Sequence, residues 1–347
     1  MVVEAIDFQK LWLQERKKQK GRRTTKTSND DDTCTVVEDN DTATDADAAS
    51  KLPPWPLDTD VTLSDQPWVS SVVPSLQTLS TVPPTIRYAA NVFQSDTSYP
   101  RQLVRWLLAL PEHQNNHIKD IYNGWNRLPH AQRRVAVFRA MNAARNGDSS
   151  VNDIPMHFPP ALQPLVDAVT PLWSDETDSS NENLRPNHIL INDYGDFSSS
   201  TTTTPDHDLC PQYILPHTDG PAYAPKTATL SLGLVPSSTI HVAPSSPTMG
   251  VLLHFQHQDY IRSGAMSSTP PTMTKTPQAL QVHLASRSLV VFQDDVYKDY
   301  LHSIQHISSR EEVTNDSCVN APPDTTITRH ERRISITIRH KKDLTTM

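Results

Sequence analysis

An antiparallel β sandwich or barrel behind a short helical region is the fold this sequence predicts. Three observations carry the prediction. Beyond Asn183 the chain is a series of β-branched runs, NHILINDY, TATLSLGLV, GVLLHF, LASRSLVVF and RRISITIRH, separated by polar loops. Before them, YPRQLVRWLLAL (99–110) has the apolar stripe of a helix, and FPPALQPLVDAVTPLW (158–173) reads as a helix opening after its prolines. The strands follow the helices at irregular spacing instead of alternating with them, which argues against a parallel α/β sheet.

The flanking chain is of a different texture. Hydrophobic residues make up only 36% of the 347, with 29 prolines and 8 glycines, so much of the length is expected to be polar linker. Residues 6–20 suit a short amphipathic helix. After it, the basic RKKQKGRR (16–23) runs into the acidic NDDDTCTVVEDNDTATDADAAS, a composition that disfavours packing. We therefore expect a largely disordered extension over 1–82 and one folded domain over 83–347. Polar insertions are expected near 198–208, 236–250 and 256–278. RKKQKGRR fits a nuclear-localisation patch or plain surface charge, giving an expectation of nucleus and/or cytoplasm.

From Thr85, TIRYAANVF reads as a strand and turn. HAQRRVAVFRAMNAARNG (130–147) reads as a helix, with VAVF open to a strand reading. Three cysteines lie far apart with no C-x-x-C pair, so neither a disulfide framework nor a cysteine-rich zinc site is indicated. No apolar stretch of membrane-spanning length occurs, and a monomer without membrane association is expected. A formal charge of −8 argues against a surface that coats nucleic acid throughout, while leaving room for a local basic patch. Such a patch exists. Between Trp125 and Arg145 five arginines (127, 133, 134, 139, 145) occur with no acid, with Trp125 and Phe138 interleaved. That pattern suits phosphate contacts with stacking partners.

Candidate chemistry centres on PHTDG. Among fifteen histidines about one His-x-Asp is expected by chance, and a second, His257/Asp259, does occur. On a strand, His217 and Asp219 face the same way about 6–7 Å apart. With one more histidine they make a 2-His-1-carboxylate triad that leaves coordination positions open. His302, after SLVVF, and His306, four residues on, both qualify by spacing. On the last strand Ile334, Ile336 and Ile338 share a face, and Arg333, Ser335, Thr337 and Arg339 share the other. Two arginines on an inner wall call for an anion, and a dicarboxylate such as 2-oxoglutarate fits that need. Asn192 and Tyr194 share a face of NHILINDY and suit the same ligand.

In that order, NHILINDY, PHTDGPAYAP with TLSLG, SLVVFQDDVYKDYLHSI and RRISITIR resemble the AlkB-homologue family of Fe(II)/2-oxoglutarate dioxygenases, with the sixth-homologue branch nearest. The resemblance covers roughly 83–341. It implies a mainly β fold with α elements, a double-stranded β-helix (jelly-roll) core buttressed by N-terminal helices. It implies His217, Asp219 and His302 as iron ligands, and Arg333, Arg339, Asn192 and Tyr194 around 2-oxoglutarate. With O₂ as co-substrate, the activity implied is oxidation of a C–H bond. On an N-methyl group this releases formaldehyde, succinate and CO₂. Trp125, Arg133, Arg134 and Phe138 fall in the family's substrate lid and point to a nucleic-acid or protein substrate. Val137 and Phe138 there replace a glycine-containing run of the branch. A catalytically silent barrel that binds nucleic acid or a protein partner is the alternative.

Overall fold

The computed structural model describes residues 52–53, 76–79, 86–93, 98–113, 124–127, 133–140, 157–173, 185–195, 212–235, 241–259, 279–307 and 309–342. The expected helix at 6–20, the basic patch at 16–23 and the insertion at 198–208 lie outside them. In chain order the described elements begin with strands β1 (Gln77–Thr78) and β2 (Ile86–Ala89), then helix α1 (Ser98–Leu108). Strands β3 (Trp125–Arg127) and β4 (Arg134–Arg139) and helix α2 (Gln163–Val169) follow, and a 3-10 turn at Thr170–Trp173 extends α2. The strand-rich part holds β5 (His188–Tyr194), β6 (Ile214–His217), β7 (Tyr223–Val235), β8 (His241–Val242) and β9 (Gly250–His257). It continues with β10 (Ala279–Ala285), β11 (Ser288–Gln293), the short helix α3 (Asp294–Asp299) and β12 (Tyr300–Ile304). The described chain closes with β13 (Glu311–Val313), β14 (Thr326–Thr328) and β15 (Arg332–Lys341).

Two antiparallel sheets carry the architecture. The larger has the order β1-β2-β11-β7-β15-β5-β4-β3, and the smaller β10-β9-β12-β6. From β5 onward the chain winds back and forth between them, with β9 and β10 a hairpin within the smaller. Strands β5, β7, β11 and β15 join the larger sheet, and β6, β9, β10 and β12 the smaller. Eight strands wound in this way between two four-stranded layers form a jelly roll, a double-stranded β-helix. The mainly β fold expected from the sequence is the one observed.

Side-chain alternation then builds two interiors. On one face of the larger sheet Ile189, Ile191, Leu230, Leu289, Val291, Ile334, Ile336 and Ile338 pack with Tyr99, Leu103 and Trp106 of α1 and Leu165 and Val166 of α2. These side chains are almost wholly buried, and each contributes about 1.5–3 kcal/mol relative to exposure. The opposite face turns toward the smaller sheet. There Val290 and Phe292 meet Val251, Leu253, Phe255, Val282 and Ile304. The same face of β7 and β15 is polar, with Thr227, Thr229, Ser231, Arg333, Ser335, Thr337 and Arg339. The space between the sheets is thus apolar in one part and polar in the other.

Four local readings change. Residues 134–139 of the expected helix form strand β4, paired antiparallel with β5 from Arg134 opposite Asp193 to Arg139 opposite His188. Valine and phenylalanine on a two-residue period fit a pleated surface better than a helix there. LASRSLVVF is two strands rather than one, broken at Ser286–Arg287 where the chain passes from the smaller sheet to the larger. Arg287 takes a left-handed φ of 67° at this turn, a conformation uncommon outside glycine. Part of the run read as an insertion at 236–250 is ordered structure: β8 pairs with the end of β7, and Met249 bridges to Thr328. The start of the 256–278 insertion likewise finishes β9, whose His257 pairs with Tyr300. Among the described residues, no helix is long and apolar enough to cross a membrane.

Candidate metal centre

Strands β6 and β12 are neighbours in the smaller sheet, and their register sets His302 directly opposite His217. The ring centroids lie 4.2 Å apart. Asp219, two residues past His217 in the turn that leads into β7, completes the group. One ligand atom from each of the three lies within 4.8 Å of the others, the one such cluster among the described residues. His302 Nε2 is 4.0 Å from Asp219 Oδ1. His257 and Asp259 gather no third ligand. His306 points elsewhere, its ring 4.5 Å from that of Tyr213.

Each of the three candidate ligands is held in the form a metal would need. The Nδ1 of His217 donates to the carbonyl of Leu215 at 2.8 Å, which leaves Nε2 with its lone pair free. Burial lowers the pKa of His217 and drives that of His302 down to about 3, so both imidazoles are neutral near pH 7. For Asp219, burial acts to raise the pKa. The guanidinium of Arg339, the two histidines and a hydrogen bond from Thr227 outweigh it and hold the carboxyl below its usual range. Thr227 Oγ1 donates to Oδ2 at 2.8 Å and Arg339 Nη1 to Oδ1 at 2.5 Å. Neutral nitrogens beside an ionised carboxylate suit a divalent first-row metal.

Across the same cavity runs β15. Its register places Arg333 opposite Tyr194 and Ser335 opposite Asn192. Asn192, Tyr194, Arg333 and Arg339 all line the cavity with His217, Asp219 and His302. Arg333 is buried, and its guanidinium lies 4.4 Å from the centroid of the Tyr194 ring. Nη1 reaches Ser231 Oγ at 3.5 Å, whereas Nε and Nη2 have no partner. A buried guanidinium with two unmatched N–H groups is costly unless an anion meets it. Arg339 differs: it is engaged by Asp219 and lies 4.2 Å from the centroid of the Tyr223 ring. Its Nε is also buried without a partner, so both arginines keep N–H groups for an anion, while Arg339 also braces the candidate ligand Asp219.

The four residues proposed for the substrate lid also divide. Trp125 is fully buried and donates from Nε1 to the Leu107 carbonyl at 2.6 Å. Phe138 is fully buried, 5.8 Å from the ring of Trp106. A base-stacking platform needs an exposed face, so these rings belong to the core and not to a substrate surface. Arg134 is buried over Trp125 and bonds Asp193 at 3.0 Å and Glu112 at 2.7 Å. Arg332 clamps the same Asp193 through Nε at 2.9 Å and Nη2 at 2.6 Å. That network ties β4, β5 and β15 together and leaves Arg134 no freedom to meet substrate. Arg133 alone faces the cavity side, 5.9 Å from the Tyr194 ring centroid, and its charge is felt at His217. Its Nε and Nη1 are buried without partners. Sequence reasoning missed Thr227 and Asp193. The polar alternation Thr227, Thr229, Ser231 along β7 was the available signal for the first.

Two histidines away from the ligand set give the fold an acid-sensitive side. Burial, with Arg339 and other cations nearby, takes His188 down to about 3. Burial, with Arg333 and His283 nearby, takes His330 to about 4. Unfolded histidines titrate near 6.5, so below that pH unfolding takes up protons that the folded state refuses. Their contribution to stability is complete above about pH 6.5 and shrinks as pH falls toward 4. Each adds a slope of up to about 1.4 kcal/mol per pH unit. Melting of the metal-free protein between pH 7 and 4 is expected to show this decline, reduced in His330→Gln. A flat profile would contradict it.

A jelly roll with a 2-His-1-carboxylate cluster facing a buried, anion-seeking arginine defines the class of protein. No family model matches the chain. It is 29% identical over 158 residues to "Probable RNA/DNA demethylase ALKBH6" of Danio rerio, a stretch that is 44% of this chain and 53% of the relative. The chain thus spans about half the length of that curated relative. Among solved structures, "The structure of OsALKBH1" aligns over 76% of this chain and 99% of its own at 13% identity, with a TM-score of 0.35. A prolyl-4-hydroxylase of Pseudomonas putida aligns over 80% and 100% at 11% identity, with a TM-score of 0.37. The fold stated above rests on the strand pairing and not on these distant likenesses. The 158-residue match and the ordered motifs that fold into one site are what this chain shares with the AlkB-homologue relative.

Proposed function

We propose that this chain is an Fe(II)- and 2-oxoglutarate-dependent dioxygenase of the sixth-homologue type that removes N-methyl groups from nucleic acid. The observation that carries the reading is one cavity holding both the His217, Asp219, His302 cluster and the unmatched Nε and Nη2 of Arg333. A metal and a dicarboxylate each find an incomplete partner set there.

The donor set fits Fe(II), with two neutral imidazoles and one carboxylate leaving positions open. When bound, the iron supplies the O₂ chemistry that oxidises an N-methyl carbon while 2-oxoglutarate is decarboxylated to succinate. The chain's own residues do the rest. Arg333 takes the far carboxylate of the co-substrate through two parallel N–H bonds, with Tyr194 beneath the guanidinium and Asn192 alongside. Arg339 and Thr227 keep Asp219 ionised and oriented. Leu190, Leu253, Leu284, Phe292 and Ile304 line the remaining wall and keep water from the reacting carbon.

Formaldehyde and succinate released in equal amounts on methylated single-stranded RNA or DNA would support this reading. Succinate without formaldehyde across a panel of methylated nucleic acids and peptides would sink the demethylase assignment. Metal-independent, salt-sensitive binding with no turnover would favour the silent binder. Within the reading, Arg133 meets an anionic group of the substrate. Arg133→Gln is expected to weaken single-strand binding and to reduce the salt slope by about one phosphate contact. An unchanged slope with a raised KM for 2-oxoglutarate would instead assign Arg133 to the co-substrate.

A further inference from the structure

Behind the metal site, on the outer face of the smaller sheet, lies a second cavity of about 440 Å³. Its floor is the reverse side of the strands that carry the metal ligands. Ser303 follows His302 on β12, and Leu215 and Pro216 precede His217 on β6. Residues 315 and 317 of the segment after β13 wall one side. The volume is within the range of small-molecule sites.

The composition of this cavity is selective. Among the described residues, no lysine, arginine, aspartate or glutamate lines it, although a fifth of the chain is charged. A merely solvated sheet face would carry such charges, and an anion or cation site would need them. In their place stand Gln256, Gln281, Gln305 and Asn315; the oxygens of Gln281 and Asn315 accept from Asn315 N–H and from Ser317. His254 adds a ring whose buried Nε2 lies 3.7 Å from the Glu312 carboxylate, while Nδ1 lies 3.4 Å from the Gln305 amide nitrogen. At one end Tyr213 and His306 present two aromatic rings 4.5 Å apart, a wall for stacking.

We propose that this cavity is a second binding site, distinct from the metal centre, for a neutral planar molecule with both donors and acceptors on its edge, of the nucleobase class. The described lining offers no lysine or arginine to meet the phosphates of a nucleic-acid strand, which favours the free base or nucleoside. An occupant would rest against the back of the strands that hold His217 and His302. The proposal stands whether or not the oxygenase reading does, because its test is binding alone.

The test uses the full chain with adenosine and uridine as probes and glucose as a neutral, non-planar control, followed by ligand-observed NMR and calorimetry. A nucleoside is expected to bind at millimolar concentration or better, and glucose not. Tyr213→Ala is expected to weaken binding at least about fivefold, the lower end of what stacking on an aromatic ring contributes. Ser317→Trp, which fills the cavity from an outer loop, is expected to abolish it, with melting temperature confirming that both variants fold. His217→Ala is expected to leave it intact. Equal binding of glucose, no binding of either nucleoside, binding indifferent to both cavity variants, or binding lost with His217→Ala would each overturn the proposal.

Discussion

Replacing His302 by alanine is expected to lower Fe(II) affinity by more than about a hundredfold and to bring 2-oxoglutarate turnover below detection. The expectation follows from burial as much as from ligand count. His302 is enclosed by Phe255, Phe292 and His217, with ring centroids at 6.3, 5.1 and 4.2 Å. Loss of groups that only orient metal ligands already costs about 10–100-fold, so loss of a ligand sets a higher floor. Anaerobic Fe(II) titration with 2-oxoglutarate, followed by its visible charge-transfer band, measures the effect, and succinate release checks it. His306→Ala, altered at a ring that packs against Tyr213, is expected to retain both signals. A His302→Ala protein that keeps the band, or a His306→Ala protein that loses it, would move the third ligand.

How much of this was legible beforehand depended on whether a residue's role was set by its own strand or by its neighbours. The alternation of isoleucine with arginine, serine and threonine on β15 announced two faces, because a two-residue period is the local signature of a pleated strand. The pairing of His302 with His217 was not local. Spacing left His306 equally open; the resemblance pointed to His302, and the cross-strand register sets it opposite His217. Burial was the least legible quantity. Trp125 and Phe138 among five arginines look like a stacking surface, yet β4 sits between β3 and β5 with α1 packed over it, so both rings are enclosed. Arg134 looked like a phosphate contact for the same reason, and the acid that claims it, Asp193, is fifty-nine residues away. The division of labour between Arg333 and Arg339 was hidden too, because it turns on which of them Asp219 reaches. The break inside LASRSLVVF carries no glycine or proline to mark it; Arg287 absorbs the left-handed turn.

Arg333→Met is expected to separate two quantities that usually fall together. Affinity for 2-oxoglutarate should drop by about 2–5 kcal/mol, the cost of truncating one partner of a buried charge pair. That corresponds to a rise in KM of about thirtyfold or more. The melting temperature of the co-substrate-free protein should hold steady or rise. A guanidinium buried with Nε and Nη2 unmatched carries a desolvation cost that a methionine of similar reach does not. Burial already pushes the Arg333 pKa down, which is the same cost seen from the proton's side. Saturating 2-oxoglutarate should then stabilise the parent protein by linkage and leave the variant unmoved. Arg333→Lys, which keeps a charge but not the two parallel N–H groups, should fall between them in KM. If the methionine variant instead melts several degrees lower and keeps its KM, the arginine serves the Tyr194 stack and the fold. An arginine that costs stability when empty and repays it only with an anion in place is a binding residue, and that asymmetry is what the paired measurement detects.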